Sequence, residues 1–125
     1  MNELEFYKEV SKAYNNLDYT LMENVFSDEV VYESQNVFSS LNGKNEVVDY
    51  LKGKFKAISS SKNLVFAELG YLPNNKPCII LSQGSKENKG SVVLLEIENQ
   101  AVARIDICTV APHWSIVKPT GGYYC

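Results

Sequence analysis

Four runs of strand-forming residues decide the fold of this chain: NLVFAELGYL (63–72), CIILSQ (78–83), SVVLLEI (91–97) and AVARIDICTV (101–110). Each run is rich in the β-branched and aromatic residues that favour extended strands. The spacers between them consist of turn-forming residues. Because short spacers join antiparallel neighbours, these runs predict four consecutive strands of one sheet.

The residues before these runs follow a mainly helical pattern. Apolar residues in 3–17 recur at three- and four-residue spacing, which predicts a first helix. Asp18 can cap a second, short helix that extends to Phe26. Residues 30–34 favour a strand, and a third helix can begin after Asn42-Gly43. The buried stripe of this third helix is predicted to be Val47, Val48, Leu51, Phe55 and Ile58.

The order of these elements predicts an α+β fold, in which three N-terminal helices wrap a curved, mixed, mainly antiparallel sheet. A chain of 125 residues has the length of one domain, so we expect residues 1–125 to form a single unit. The segment from about 111 to 125 contains Pro112, Pro119 and Gly121-Gly122, and it is predicted to be an irregular tail.

Composition excludes several classes of partner. The chain has 12 basic and 15 acidic residues, and its lysines are scattered, which argues against nucleic-acid binding. Lys52, Lys54 and Lys56 come closest to a basic patch, but alternate lysines on a helix point in different directions and are expected to serve solubility. No stretch of 18 apolar residues is present, so no membrane-spanning helix is predicted.

The N-terminus and the cysteines indicate a cytoplasmic protein. The chain opens with acidic residues before any apolar run, which is not the pattern of a signal peptide. Its three cysteines, Cys78, Cys108 and Cys125, are odd in number and show no paired spacing, which fits a reducing compartment. With one histidine and dispersed cysteines, no metal site and no cofactor are predicted.

Three phrases carry a resemblance to a known family: NLD (16–18), FSDEVVYE (26–33) and LNGKNEV (41–47). In this order and spacing, the chain over about residues 3–114 resembles the nuclear transport factor 2-like (NTF2-like) superfamily, which includes ketosteroid isomerases and SnoaL-type cyclases. The resemblance implies a cystatin-like cone with an apolar pocket between the helices and the concave face of the sheet. It also implies pairing through the outer face of the sheet.

The residues required for ketosteroid isomerase chemistry are missing at the matching positions. The base position falls on Ser34, the oxyanion tyrosine position falls near Val10, and the aspartic acid position falls near Val93. A hydroxyl cannot replace a carboxylate base, and valine cannot donate a hydrogen bond. This activity is therefore not expected, while SnoaL-like isomerase, cyclase, dehydratase or epoxide hydrolase chemistry remains the alternative to binding.

Two residues are weak catalytic candidates. His113 is the sole histidine and could work with Asp106 or Glu33 as a general acid and base. Arg104 and Asp106 share one face of a predicted strand, as an epoxide hydrolase site would require. The other face of that strand is apolar and is expected to point inward, which favours an outward structural ion pair for Arg104 and Asp106.

The function favoured by the sequence is binding of a small apolar or aromatic molecule in the pocket of the cone. Hydroxyl and aromatic groups recur on its predicted walls, although the same residues could simply form the core. The predicted pocket residues are Tyr14, Tyr32, Ser34, Phe55, Phe66 and Trp114.

An interaction module is a third hypothesis. The run Val92-Val93-Leu94-Leu95 is apolar on both faces, as expected of a strand that is covered on both sides. This pattern predicts a homodimer that forms through the face of the sheet.

Overall fold

The computed structural model describes residues 1–35, 39–109 and 117–125. Its helices are α1 (Glu3–Asn16), α2 (Tyr19–Val25) and α3 (Lys44–Ser61). Its strands are β1 (Phe26–Ser34), β2 (Leu41–Asn42), β3 (Val65–Tyr71), β4 (Pro77–Gln83), β5 (Lys89–Glu98), β6 (Ala101–Cys108) and β7 (Lys118–Gly122). The predicted α+β class is confirmed, and the predicted helices and strands occur in the predicted order, with β2 and β7 as two further strands.

The strands form one curved, open sheet in the order β2-β1-β6-β5-β4-β3-β7. Strand β1 runs parallel to β6, and every other neighbouring pair is antiparallel. The sheet is therefore mixed but mainly antiparallel, as the sequence predicts.

Local signals fix the ends of the helices. The side chain of Asn2 accepts a hydrogen bond from the N–H of Glu5, and the Glu5 carboxylate accepts one from the N–H of Asn2, which is a capping box. Asp18 caps α2 by accepting the N–H of Thr20 at 3.0 Å. Gly43 precedes α3 with φ of +91°, a conformation that glycine adopts without the steric cost that a Cβ would bring.

The main core lies between the helices and the concave, inner face of the sheet. Alternation along each strand decides which residues point there. For example, Ile105 and Ile107 of β6 are 0% and 5% exposed in this core, whereas Arg104 and Asp106 point away from it. The inward face of β6 is therefore the one that its apolar pattern predicts.

Polar side chains of α1 attach this helix to the sheet. The Asn15 amide binds both backbone groups of Ala67, at 2.7 and 3.0 Å, and the Ser11 hydroxyl donates to the Ala67 carbonyl at 3.1 Å. The Tyr7 hydroxyl donates to the Leu95 carbonyl at 3.3 Å and accepts from its N–H at 2.8 Å. Buried backbone groups that no strand pairs are thus satisfied by the helix.

The outer face of the sheet carries a second, smaller apolar cluster. It comprises the buried residues Cys78, Ile80, Val92 and Val117, with Leu72 and Leu94 packed against them. Gly70 lies beneath this cluster, where an added Cβ would be 2.9 Å from Cδ1 of Ile80. Residues of the chain itself therefore cover part of the outer face, so the two apolar faces of β5 have an explanation within one chain, and the homodimer stays a prediction.

Two boundaries differ from the sequence predictions. Phe26 was expected to end the second helix, but it begins β1, which is four residues longer at its N-terminal end than the predicted strand. The tail predicted to be irregular contains β7, which pairs with the edge of β3. Its proline and glycine residues are tolerated because β7 is itself an edge strand.

A buried carboxylate holds the C-terminal segment on the outer face. Glu68 is 4% exposed, and it accepts hydrogen bonds from the N–H of Gly121 at 2.7 Å and the hydroxyl of Tyr123 at 3.1 Å. The ammonium group of Lys89 lies 3.8 Å from the same carboxylate. The contacts of the Glu68 side chain therefore hold in place a segment whose proline and glycine residues favour irregular structure.

Candidate functional site

A cavity of about 280 Å³ lies at one end of the cone, between α3 and the inner face of the sheet. Strands β4 and β6 end there, and β3 and β5 begin there, because these neighbours are antiparallel. The described lining residues are Tyr14, Lys54, Ile58, Val65, Leu81, Ser82, Gln83, Asn88, Gly90, Ser91, Ile107 and Thr109.

Apolar side chains form much of the cavity wall. Val65, Leu81 and Ile107 come from three different strands and belong to the main core or pack against it. Ile58 reaches the same space from the last turns of α3, where it is 7% exposed. Such a wall suits the apolar or aromatic part of a small molecule.

Several polar side chains of the wall hydrogen bond to the protein. The Ser82 hydroxyl donates to the Lys86 carbonyl, and the Asn88 amide donates to the Gln83 carbonyl. The Thr109 hydroxyl donates to Gln35 at 2.9 Å. The donors of these three side chains are therefore already used in hydrogen bonds within the protein.

Three other polar groups of the wall differ from these. Within the described residues, the hydroxyls of Tyr14 and Ser91 make no hydrogen bond, and the Lys54 ammonium group makes no ion pair. Lys54 is half-buried, and its ammonium group lies 5.8 Å from the centroid of the Tyr50 ring. The cavity therefore joins an apolar wall to unpaired hydrogen-bond donors.

Tyrosine rings gather behind the cavity. The Tyr14 ring contacts Phe55 edge-on at 5.4 Å, and the Tyr32 ring lies 5.2 Å from that of Tyr50. Burial, followed by the nearby Tyr50 hydroxyl, raises the pKa of Tyr14 above its ordinary value. Burial also raises the pKa of Tyr32, with smaller effects from Tyr14 and Tyr50. These phenols therefore stay protonated near neutral pH and cannot act as phenolate bases there.

The structure brings together some of the predicted pocket residues. Tyr14 lines the cavity, and Phe55 supports its ring. Tyr32 is 0% exposed and lies in the main core, whereas Ser34 lines a separate hollow at the ends of β1 and β6. Of these four residues, only Tyr14 lines the cavity itself.

Phe66 corrects the predicted pocket. It was expected to point inward, but in β3 the inward residues are Val65, Ala67 and Leu69, so alternation places Phe66 on the outer face. There it lies near the ammonium group of Lys86, at 5.8 Å from its ring centroid. Trp114, the remaining predicted residue, lies outside the described residues.

Asp106, the catalytic candidate that lies among the described residues, does not line the cavity. Asp106 points to the outer face, where Arg104 contacts it at 3.1 Å and contacts Glu33 at 2.8 Å. Hydrogen bonds to Glu33 and then Asp106 raise the pKa of Arg104, so its guanidinium group stays charged. The ion pair predicted over catalysis for Arg104 and Asp106 is present. His113 lies outside the described residues.

Cys78 and Cys108 are not activated as nucleophiles. All three cysteines are free thiols. Burial raises the pKa of Cys78 to about 11, and burial and then Asp106 raise the pKa of Cys108. Thiols with raised pKa values are mostly protonated at neutral pH and react slowly.

Across residues 1–35, 39–109 and 117–125, no group of three or more histidine, cysteine, aspartate and glutamate side chains is arranged to hold a metal ion. No helix in that part of the chain combines the length and apolar character needed to cross a membrane.

Sequence reasoning missed Lys54, which was assigned to solubility. A signal for it was present, because Lys54 lies three residues after Leu51 and four before Ile58, at the margin of the buried stripe of α3. The strand-end residues Leu81, Ser91 and Ile107 were also missed as a group. Only the register of β4, β5 and β6 brings them to one wall.

Comparisons by sequence found no relative. No family model matches the chain, and no curated protein matches it.

Comparisons by structure found many similar folds. A protein of unknown function with a cystatin-like fold from Xanthomonas campestris is 21% identical, with a TM-score of 0.67 over 91% of this chain and 94% of that one. A SnoaL-like protein of unknown function from Burkholderia thailandensis is 13% identical, with a TM-score of 0.68 over 86% and 93%. A de novo designed protein with a curved β-sheet is 17% identical, with a TM-score of 0.65 over 89% of each chain.

These likenesses concern the backbone. At such low identity they carry no residue of a site from one protein to another, and a designed protein with the same architecture underlines that the fold alone assigns no activity. Together with the helix order, the open curved sheet and the cavity at the end of the cone, they show that this chain has the NTF2-like, cystatin-like fold.

Proposed function

We propose that this protein binds a small molecule with an apolar or aromatic body in the cavity between α3 and the inner face of the sheet. One observation carries the proposal: a cavity of about 280 Å³ whose wall combines apolar side chains from α3 and three strands with a few polar groups. Small-molecule sites are typically concave and mostly apolar, with few polar groups that fix orientation.

The geometry favours binding over acid–base catalysis as the first hypothesis. The described wall contains hydroxyls, amides and one ammonium group. Glu33 and Asp106, the two carboxylates considered as acid–base groups from the sequence, bind Arg104 on the outer face of the sheet. A general base must lie within hydrogen-bond reach of the proton that it removes. Neither carboxylate has that relation to the cavity.

A cavity-filling variant tests this proposal. Butylbenzene serves as an apolar probe, and binding is followed by the chemical shifts of isoleucine methyl groups. We expect the methyl signals of Ile58 and Ile107 to shift, because both side chains line the cavity. Leu81→Trp fills the space with an indole ring and is expected to weaken binding at least about tenfold, since buried contact area supplies most of the affinity of such a probe.

Leu64→Trp is the matched control. Leu64 is 49% exposed and does not line the cavity, so this variant adds the same ring at a neighbouring strand end and should bind the probe as the wild type does. Shifts confined to other parts of the molecule, or equal binding by Leu81→Trp and the wild type, would contradict the proposal.

A further inference from the structure

We infer that the molecule bound in this cavity is a small amphipathic acid, with one carboxylate on an apolar or aromatic body, and that Lys54 provides the positive charge that binds the carboxylate. The inference rests on the proposed function and adds the chemical class of the ligand. It is carried by the charge and the unused hydrogen-bond donors of the cavity wall.

Lys54 is the only charged side chain among the described residues of the wall. It is half-buried, and no carboxylate in the described part of the chain lies within ion-pair distance of its ammonium group. Three of the other four partly buried lysines do have such partners, and the fourth, Lys8, lies over the ring of Tyr124. These pairs are Lys12 with Glu9, Lys44 with Asp28, and Lys89 with Glu68.

An ammonium group beside an apolar wall interacts strongly with an anion that enters. The wall excludes part of the water that would screen the charge, so the effective dielectric constant is lower than in bulk solvent. A carboxylate can also accept a charge-assisted hydrogen bond from the ammonium group, which is roughly twice as strong as a neutral one. A cationic ligand would instead be repelled by Lys54.

One further group of the wall fits the same ligand. The Ser91 hydroxyl hydrogen bonds to no described residue, while Ser82, Asn88 and Thr109 already donate to other groups. A hydroxyl without a partner can donate to a carboxylate oxygen. Ser91 lies near the start of β5 and lines the same cavity as Lys54.

The size of the cavity limits the body of the ligand. A volume of about 280 Å³ is at the small end of ligand sites, which favours one ring with a short chain. A pair of probes that meets this limit is 4-butylbenzoate and 4-butylbenzamide. The two have nearly the same shape, but only the first carries a negative charge near neutral pH.

The experiment measures the affinity of both probes for four proteins by titration calorimetry at low salt. The wild type is expected to bind 4-butylbenzoate about tenfold more tightly than 4-butylbenzamide, the size of effect that one charge-assisted contact supplies. Lys54→Met should bind both probes equally, because it keeps most of the length of the side chain and removes the charge. Lys54→Arg should retain the preference, since the guanidinium group is also a cationic donor.

Lys56→Met is the matched control. Lys56 lies on the same helix but is exposed and does not line the cavity, so this variant changes the net charge equally and should keep the preference for the benzoate. Circular dichroism and the thermal midpoint confirm that each variant is folded.

The outcomes separate this inference from the proposed function. Equal affinity of the two probes for the wild type, or a preference for the benzoate that survives in Lys54→Met, would overturn the assignment of Lys54 and the acidic ligand while leaving apolar binding intact. Failure of both probes to bind the wild type would overturn this inference, and butylbenzene binding would then show separately whether the cavity accepts an apolar molecule.

Discussion

The inner and outer faces of the sheet are both partly apolar, but the chain covers them in different ways. Helices α1 and α3 pack on the inner face, and α2 packs against both helices. Together they bury a large continuous core, which includes Tyr14, Ile79 and Ile105. On the outer face, a much smaller cluster around Ile80 and Val92 is covered in part by Val117, next to polar contacts of the C-terminal segment.

This difference separates two sources of burial. Amphipathic helices carry their own apolar stripe, and they bury the inner face as soon as they pack on it. Cover of the outer face depends on a strand near the C-terminus that pairs at the edge of β3 and is attached by Glu68. We therefore expect the inner face to contribute more to stability than the outer face, residue for residue.

The largest expected effect comes from two adjacent isoleucines that point to opposite faces. Ile79 is 0% exposed in the main core, and Ile80 is 2% exposed in the outer cluster. We expect Ile79→Ala to lower the free energy of unfolding by about 4 kcal/mol and Ile80→Ala by about 2 to 3 kcal/mol, because the smaller cluster can relax into the space. Urea unfolding measures both, and an equal or reversed loss would contradict the comparison.

Removal of the carboxylate that attaches the C-terminal segment to the outer face is expected to cause a smaller loss of stability. Glu68→Ala removes the acceptor for the N–H of Gly121 and the hydroxyl of Tyr123, and it is expected to cost about 2 kcal/mol. Amide hydrogen exchange at Gly121 should accelerate while that of Leu95 changes little. Glu96→Ala, an exposed glutamate on the same face, is the control and should change stability by less than about 0.5 kcal/mol. Unchanged exchange at Gly121 would show that other contacts hold the segment.

The smallest effects compare two buried tyrosines of the inner face. Tyr7→Phe removes the hydroxyl that binds both backbone groups of Leu95, and it should cost about 1 kcal/mol. Tyr14→Phe removes a hydroxyl without a partner among the described residues, so stability should stay within about 0.5 kcal/mol or rise. Thermal unfolding measures both variants. A loss in Tyr14→Phe as large as that in Tyr7→Phe would indicate a partner for the Tyr14 hydroxyl.

The hydrogen bonds between Tyr7 and Leu95 are a contact that no local sequence pattern predicts. Ile79 of β4 pairs with Val93 of the antiparallel strand β5. The same register places Pro77 opposite Leu95. Proline has no N–H to donate, and the Tyr7 hydroxyl supplies both the donor and the acceptor that Leu95 needs. From sequence, Tyr7 is only one more apolar position on α1.

The candidate site was less predictable than the fold for a related reason. Tyr14 was identified because it lies on the buried stripe of α1, where burial follows from helical spacing. Leu81, Ser91 and Ile107 could not be identified as one wall, because their proximity depends on the register between strands. Phe66 was misplaced because a residue at the start of a strand can face either side until its pairing is known.

By itself, the sequence determined the helices, the central strands and the inward face of β6, because spacing, capping residues and alternation act over a few neighbouring residues. Only the tertiary structure decided that β1 joins β6 in parallel, that β7 covers the edge of β3, and that Lys54 borders a cavity. These features depend on contacts between residues far apart in the chain, where the entropy of loop closure is offset only by packing of the whole domain. The proposed ligand site belongs to this second group, since its wall exists only after the strand ends and α3 have met.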